Sequence, residues 1–415
     1  MTQSQSLALS EKEVRILTYL FNYRGMRAKD LVVFETNTTR YSLSNEKSIY
    51  NYLAKLKRKG LIKSNRLQGV NSLGSLYYLS STGLELVKNQ LNISVGRQGN
   101  GFLPIMEETT FWDIPAEYQS PPLKQTEHFL LTIEFFKQLV ADKETPYRHT
   151  TTFYSNLTYV HEQKMHKVKP DAAVIIDGNF YAVEIDRATE NHEQLIQKFL
   201  KYKHHYDYCN LAEDKTTVRP VHSILFVVEE RSRRHGIQRR WTNVLSAFFK
   251  AFDEEFPEIN LILVPMNEVA ATLDFEQSRH IMEKNKKEEL FKLYSDRGFN
   301  NIVNQGTDSL FVDKNNKCIV VTLQIHQEFE SRLYKDKYDL SLSSANIANR
   351  FKQDERLSEY EFIGTRGFWL NPYNTPKMVE GIENTGLHSE FIKKLNILPK
   401  QFELYASNQF DKNKY

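Results

Sequence analysis

Acidic residues stand on both arms of a predicted hairpin in residues 169–190, which read KPDAAVIIDGNFYAVEIDRATE. Two apolar runs of strand length flank an Asp-Gly-Asn turn, a strong hairpin signal. Asp171 begins the first run, and Glu184 and Asp186 end the second. If the strands pair about Asp177-Gly178, Asp171 lies across from Glu184. Side chains alternate along a strand, so Glu184 and Asp186 share a face.

Three carboxylates that converge in this way repel one another and shift one another's pKa values. A divalent cation relieves the repulsion, because Mg²⁺ takes hard oxygen ligands from carboxylates, water and phosphate. A bound cation activates water and stabilises charge on a phosphodiester during cleavage. Asp171, Glu184 and Asp186 therefore predict a metal site for phosphodiester chemistry.

The helix predicted after the hairpin carries a polar stripe with a spacing of four residues, which places its members on one face. The members are Glu190, Gln194, Lys198, Tyr202 and Tyr206. Lys198 is expected to reach the carboxylates and to stabilise a phosphate or orient the nucleophile, with Tyr202 as possible support. Glu134, in the helix before the hairpin, is a further candidate acid.

Each of these residues also has a purely structural interpretation. Asp171 follows a proline and could serve only to cap the start of a strand. Asp186 could form an exposed local pair with Arg187. Lys198 and Glu134 could simply face solvent, as most charged residues on helices do.

The N-terminal region has the pattern of three helices, a hairpin and a fourth helix. EKEVRILTYLFNY and RAKDLVVFE give the first two helices, and LSNEKSIYNYLAKLKRKG gives the third, with Ser44 as predicted N-cap and Gly60 as its end. The fourth helix is expected to begin after Ser80 or Ser81. The order and the string LKRKGLI…YYLSSTG resemble winged helix-turn-helix DNA-binding domains over residues about 10–92.

The resemblance implies that the third helix enters the major groove of DNA. Ile49, Leu53 and Leu56 would then face inward. The residues left to meet phosphates and base edges are Lys47, Tyr50, Asn51, Lys55 and Arg58. Residues 1–92 hold 14 Lys/Arg against 6 Asp/Glu, which favours a polyanionic partner. The alternative is a winged helix that binds protein and whose basic face is only solvated.

The sequence after residue 92 indicates three further parts. The protein is therefore expected to be a multidomain protein of α/β and α+β class. Residues 93–124 are punctuated by Gly and Pro and predict a linker. Residues 125–270 predict a helix, three strands, a helix, a strand, a helix and a strand, a three-layer α/β arrangement. Residues 271–415 predict an additional α+β region without a recognisable motif, which contains a hairpin around Asn315-Asn316.

Composition excludes several classes of protein. No apolar run approaches the ~20 residues that span a bilayer, so no membrane insertion is expected. The N-terminus has no secretory signal pattern, and Cys209 and Cys318 are isolated, so a reducing cytoplasm is expected. The sequence has no GxxxxGK[ST] loop for ATP and no His-x-His motif of rolling-circle nucleases.

The acidic hairpin and the helix after it resemble the PD-(D/E)xK nuclease superfamily, which has a restriction-endonuclease-like αβββαβ core. Asp171 and Glu184 match the first two motif residues. The usual lysine two positions after the glutamate is Asp186 here, a departure from the pattern. Some branches move the lysine to the following helix, where Lys198 stands, and their first helix often adds an acid, as Glu134 would.

The winged helix together with PD…E-x-D-R-x-T-E…K…Y resembles the replication-relaxation family of Gram-positive plasmids and mobile elements, which overlaps with the MOBC relaxases. The resemblance covers residues about 10–270. It implies a protein that nicks double-stranded DNA at an origin with Mg²⁺ or Mn²⁺, with a coupling protein or other relaxosome components as possible partners. Asp186 would then be an added ligand or a base. The alternatives are a non-catalytic DNA-binding accessory protein and a transcriptional regulator with an unrelated α/β effector domain.

Overall fold

The structure is a computed structural model that describes most of the chain. The described residues are 8–67, 74–91, 94–98, 103–105, 108–110, 112–113, 119–141, 157–161, 164–211, 220–229, 236–305, 308–339, 341–342, 357–370, 379, 381–397 and 402–405.

The N-terminal part contains helices around a small antiparallel sheet. Its elements are α1 (Glu11–Asn22), β1 (Met26–Arg27), α2 (Ala28–Thr36), α3 (Leu43–Arg58), β2 (Ile62–Arg66), β3 (Ser75–Leu79) and α4 (Ser81–Gln90). The predicted helices and the β2–β3 hairpin are confirmed. Strand β1, which was not predicted, pairs with β3 and gives the sheet order β1-β3-β2.

Side-chain caps decide where these helices begin. Ser80 caps α4 by accepting a hydrogen bond from the backbone N–H of Gly83. For α3 the predicted cap was wrong by two residues, because Ser42 accepts from the N–H of Asn45 while Ser44 already lies inside the helix.

The predicted linker 93–124 contains short strands. They are β4 (Ser94–Gln98), β5 (Leu103–Ile105), β6 (Glu108–Thr110) and β7 (Trp112–Asp113). Further along, Gln119 is buried, and its side-chain N–H group donates to the carbonyls of Leu20 and Phe21 at 3.0 Å each. This segment is therefore tied to the N-terminal part.

The central part is built on a four-stranded sheet. Its elements are α5 (Thr126–Val140), β8 (Leu157–His161), β9 (Lys164–Val168), β10 (Ala172–Ile176), β11 (Asn179–Asp186), α6 (His192–Leu211), β12 (Val221–Val228), α7 (Ile237–Ala251) and β13 (Asn260–Pro265). The sheet order is β10-β11-β12-β13, in which β10 and β11 are antiparallel and the other neighbours are parallel.

The first of the three strands that the sequence predicts before α6 covers residues 151–160 (TTFYSNLTYV), and it is only partly described. Strand β8 accounts for its end, and residues 151–156 lie outside the described residues. Strand β9 was not predicted, and it pairs with β8 in a hairpin separate from the four-stranded sheet.

Helices cover both faces of the four-stranded sheet, so strand β11 is buried on both sides along nearly its whole length. Helix α5 packs on one face, and α6 and α7 pack on the other. The cluster on the α5 face also contains the core of the N-terminal helices. Tyr23 joins the two, with ring centroids 4.8 Å from Phe34 and 4.9 Å from Phe136. The ranges predicted as separate domains, 1–92 and 125–270, therefore share a core.

The C-terminal part has a second, five-stranded sheet. Its elements are α8 (Val269–Ser295), β14 (Phe299–Gln305), β15 (Asp308–Asp313), β16 (Lys317–Ile325), α9 (332–339), β17 (Glu361–Leu370), α10 (Ser389–Leu395) and β18 (Phe402–Tyr405). The predicted hairpin around Asn315-Asn316 is confirmed as β15 and β16. As in the central sheet, two parallel strands follow the hairpin, in the order β14-β15-β16-β17-β18.

The C-terminal part also covers an edge of the central sheet. The backbone N–H of Leu263 on β13 donates to Phe329, and Ser331 donates back to Leu261. Pairing of this kind protects an edge strand from association with other chains. Among the described helices, none has both the length and the apolar character that a bilayer crossing requires.

Candidate functional site

A tight turn brings the acidic ends of β10 and β11 together. Asp177 and Gly178 both have positive φ angles, 47° and 81°, the backbone that a two-residue hairpin turn requires. The resulting register pairs Ala172 with Val183. One residue before that pair, the N–H of Asp171 donates to the carbonyl of Val183 at 2.9 Å. Asp171 and Glu184 are therefore neighbours, as the spacing predicts.

Asp171 is held by two hydrogen-bond donors. Its Oδ2 accepts from the backbone N–H of Ile185 at 2.8 Å, and its Oδ1 lies 2.8 Å from Nε2 of His128, in the first turn of α5. The hydrogen bond to Asp171 raises the pKa of His128 and outweighs the opposing effect of burial. Both side chains stay partly open to solvent, at 24% exposed for Asp171 and 31% for His128.

Glu184 is buried and bonded at both oxygens by residues of α6. Tyr202 donates its hydroxyl to Oε1 at 2.5 Å, and Lys198 Nζ lies 2.9 Å from Oε2. Burial raises the pKa of Glu184, and the charge of Asp171 adds to the rise while Lys198 opposes it. Burial and Glu184 also raise the pKa of Tyr202, so its hydroxyl stays protonated and acts as a donor.

Lys198 is shared between two carboxylates. Its ammonium pairs with Glu184 and also lies 3.0 Å from Oε2 of Glu190. The contact with Glu190 is an ion pair whose angles do not meet those of a hydrogen bond. Burial acts to lower the pKa of Lys198, but Glu184, Glu190 and Asp171 together raise it, so the ammonium stays charged. The polar stripe predicted on α6 thus supplies Lys198 and Tyr202 to the same carboxylate.

Asp186 does not join this cluster, although it shares a strand face with Glu184. Arg240 of α7 binds it with two hydrogen bonds, from Nε to Oδ2 at 2.7 Å and from an Nη to Oδ1 at 2.8 Å. The N–H of Ala188 donates to the same carboxylate at 2.9 Å. The described residues contain no group of three or more His, Cys, Asp or Glu side chains suited to a metal ion. The prediction that three carboxylates converge is therefore corrected: Asp171 and Glu184 lie together, and Asp186 binds Arg240.

Glu134 also lies away from the cluster. It binds Lys137 at 2.6 Å and accepts from the amide of Gln138, and Lys137 in turn lies 3.7 Å from Asp30 of α2. Position 134 is six residues beyond His128, or about 9 Å along the helix. Helix α5 therefore contributes His128 to the site, and its Glu134 lies toward the N-terminal part.

The pair of carboxylates fits a small divalent cation in its donor chemistry. Each oxygen of Asp171 and Glu184 accepts one hydrogen bond or ion pair, and a carboxylate oxygen has a second lone pair. Mg²⁺ and Mn²⁺ accept one or two protein carboxylates, with water and phosphate as the remaining ligands. The open side of Asp171 allows those ligands to approach.

The α3 surface has the exposure that was predicted for it. Ile49, Leu53 and Leu56 are buried. The five residues predicted to contact DNA are all exposed: Lys47, Tyr50, Asn51, Lys55 and Arg58. The other exposed positions of α3 are 43, 44, 54 and 57, and none of these nine is acidic. The fully exposed positions of the helix therefore carry no negative charge, and its one acid, Glu46 in the first turn, is half-buried.

One family model matches a range of the chain that includes both the α3 surface and the carboxylate cluster. Residues 29–221 match the family model described as replication-relaxation. The match covers just under half of the chain and includes α3, His128, Asp171, Glu184 and Lys198, whereas Arg240 lies beyond it. No curated protein and no solved structure matches the chain.

The ion pair of Asp186 predicts a structural role that can be measured. Replacement of Arg240 by Met leaves a buried carboxylate without its partner, and we expect the free energy of unfolding to fall by about 3–5 kcal/mol. Urea denaturation gives the value. Arg239→Met, at an exposed neighbouring position, is the matched control. The double variant with Asp186→Asn should lose less than Arg240→Met alone. A single variant as stable as the control would contradict this role.

Proposed function

We propose that the protein is a member of the replication-relaxation family and acts as a relaxase of the MOBC type, which nicks double-stranded DNA at an origin. The observation that carries the proposal is the cluster of Asp171, Glu184 and Lys198 at the end of a buried hairpin, inside the range matched by the family. The α3 surface would bind the DNA, and a coupling protein is the expected partner in transfer.

The two carboxylates would hold Mg²⁺ or Mn²⁺. When bound, such an ion supplies a more acidic water and compensates charge that develops on a phosphodiester. Asp171 is the accessible donor, and Glu184 is the buried one. Because α6 fixes Glu184 through Tyr202 and Lys198, the acceptor oxygens have defined positions before DNA binds.

Lys198 brings a permanent positive charge to the same place. Its raised pKa keeps the ammonium protonated at neutral pH, so it can bind a phosphate oxygen and stabilise the negative charge of the transition state. Lys198 stands on helix α6, whereas the lysine of the nuclease pattern stands on the strand, where this chain has Asp186. We propose that Lys198 takes over the role of that lysine. Two flanking acids hold its side chain and limit its freedom.

Water is the proposed attacking group. Tyr202 contacts Glu184, but it is 1% exposed and its hydroxyl donates to that carboxylate. Burial and the adjacent carboxylate raise its pKa, so the phenolate needed for attack is disfavoured. Its role in this proposal is to hold Glu184.

The proposed DNA-binding element is α3, in an arrangement of winged-helix type. Helix α2 packs on α3 and also on α5, which contributes His128 to the site. DNA bound at α3 would therefore lie on a part of the protein that shares its hydrophobic core with the helix beside Asp171. This shared core supports the proposal that the same protein both recognises and cuts DNA.

A non-catalytic origin-binding protein is the second candidate. The observation that favours it is the substitution of Asp for Lys at position 186, with that Asp bound to Arg240. In such a protein, the ion pair between Lys198 and Glu184 would only stabilise the fold. The two candidates differ in whether the protein cleaves DNA.

Nicking of a supercoiled plasmid that carries the cognate origin tests the proposal. With Mn²⁺, the wild type should convert the plasmid to open circles. Asp171→Ala and Glu184→Ala should lower the rate by about 10²-fold or more, because charge stabilisation in the transition state is lost. The matched control is Glu193→Ala, an exposed acid at the start of α6. Equal nicking rates for all variants would overturn the assignment of Asp171 and Glu184 to the reaction. No nicking with DNA binding retained would support the non-catalytic protein.

The salt dependence of DNA binding tests the α3 surface separately. Point substitutions are suited to this, because removal of residues 1–92 would expose the core shared with α5. The triple variant of Lys47, Lys55 and Arg58 to Ala should reduce the slope of log K against log salt by about 3, since each phosphate contact contributes about 0.9. The control triple variant replaces Lys201, Lys284 and Lys292, which are exposed elsewhere. Equal slopes for the two triple variants would contradict the assignment of α3.

A further inference from the structure

We infer that His128 is a positioning residue for Asp171 and sets the orientation of that carboxylate toward a bound cation. The inference rests on the proposed function and adds to it a residue outside the motif. His128 reaches Asp171 from α5, across 43 positions in the chain, with 2.8 Å between Nε2 and Oδ1.

Two donors from different elements fix the Asp171 carboxylate. His128 binds one oxygen, and the N–H of Ile185 on β11 binds the other. One hydrogen bond alone would leave the carboxylate free to rotate about its terminal torsion, which has a broad energy minimum. With both bonds in place, the second lone pairs of the two oxygens have defined directions. Ile185 follows Glu184, so the backbone bond also ties Asp171 to the other carboxylate.

Helix α5 gives His128 a firm base. Phe129, Ile133 and Phe136 of this helix are fully buried in the core that includes the sheet face. The residue before His128, Glu127, forms an ion pair with Arg187, just past the end of β11. The first turn of α5 therefore contacts the hairpin where β10 begins and where β11 ends. The imidazole is 31% exposed, so most of its surface packs against the protein.

His128 acts through Asp171 and is not itself a ligand in this arrangement. An ionised carboxylate only accepts hydrogen bonds, so Nε2 carries the proton between the two residues. A nitrogen that carries a proton has no lone pair for a metal. The described residues also contain no suitable set of three His, Cys, Asp or Glu donors. Outer partners of this kind typically change metal affinity by about 10–100-fold when they are removed.

Mn²⁺ binding to the full-length protein, measured by isothermal titration calorimetry without DNA, tests this role. We expect His128→Ala to raise the Kd for Mn²⁺ by about tenfold or more. His128→Gln keeps an N–H donor of similar reach and should recover most of the affinity. The matched control is His204→Ala, an exposed histidine on α6, which should bind as the wild type does. The affinity for origin DNA without metal should be the same in all four proteins.

Each other outcome has a distinct meaning. A wild type that binds no Mn²⁺ overturns the proposed metal site, and the inference falls with it. A wild type that binds, with an equal Kd for His128→Ala, overturns only the inference. A Gln variant as weak as the Ala variant overturns the donor role, because the imidazole itself would then be required. A parallel loss of Mn²⁺ and DNA affinity in both His128 variants overturns it too, because the defect would then be in folding.

Discussion

The burial of the Glu184 carboxylate is the constraint on which the rest of the central part depends. A buried charge without partners costs several kcal/mol, so a carboxylate at the end of β11 requires donors at both oxygens. Helix α6 supplies them one turn apart, as Lys198 and Tyr202. This fixes the rotation of α6 on the sheet, with Leu195 and Phe199 inward. The ammonium of Lys198, which stabilises the buried carboxylate, is also the charge that would bind a phosphate in the proposed function.

A second acid on the same strand face is neutralised in a different way. Asp186 takes its partner from α7, so adjacent acids of β11 bind different helices. The C-terminal sheet provides a contrast, since its hairpin pairs Asp308 with Thr322, whose hydroxyl donates to Asp308 at 2.7 Å. That hairpin places no second carboxylate across from its aspartate. The proposed metal site therefore rests on a pair of facing carboxylates that only the hairpin of the central sheet provides at this position.

Local periodicity explains what the sequence could predict. An Asp-Gly turn and alternation along the strands placed Asp171 beside Glu184, and a spacing of four placed Lys198 and Tyr202 together. The same reasoning identified the buried stripe and the exposed basic residues of α3. His128 and Arg240 were missed because their contacts span 43 and 54 positions and depend on how helices pack. Asp186 was misplaced for the same reason, since a shared strand face does not determine which partner a carboxylate binds.

Anomalous X-ray diffraction from crystals of the full-length protein soaked in Mn²⁺ tests whether Asp171 and Glu184 hold a divalent cation. Manganese bound to carboxylates has oxygen ligands at about 2.0–2.3 Å. We expect one anomalous peak between Asp171 and Glu184, with Asp186 still bound to Arg240. The absence of a peak at these two carboxylates, or a peak that draws Asp186 away from Arg240, would contradict this expectation.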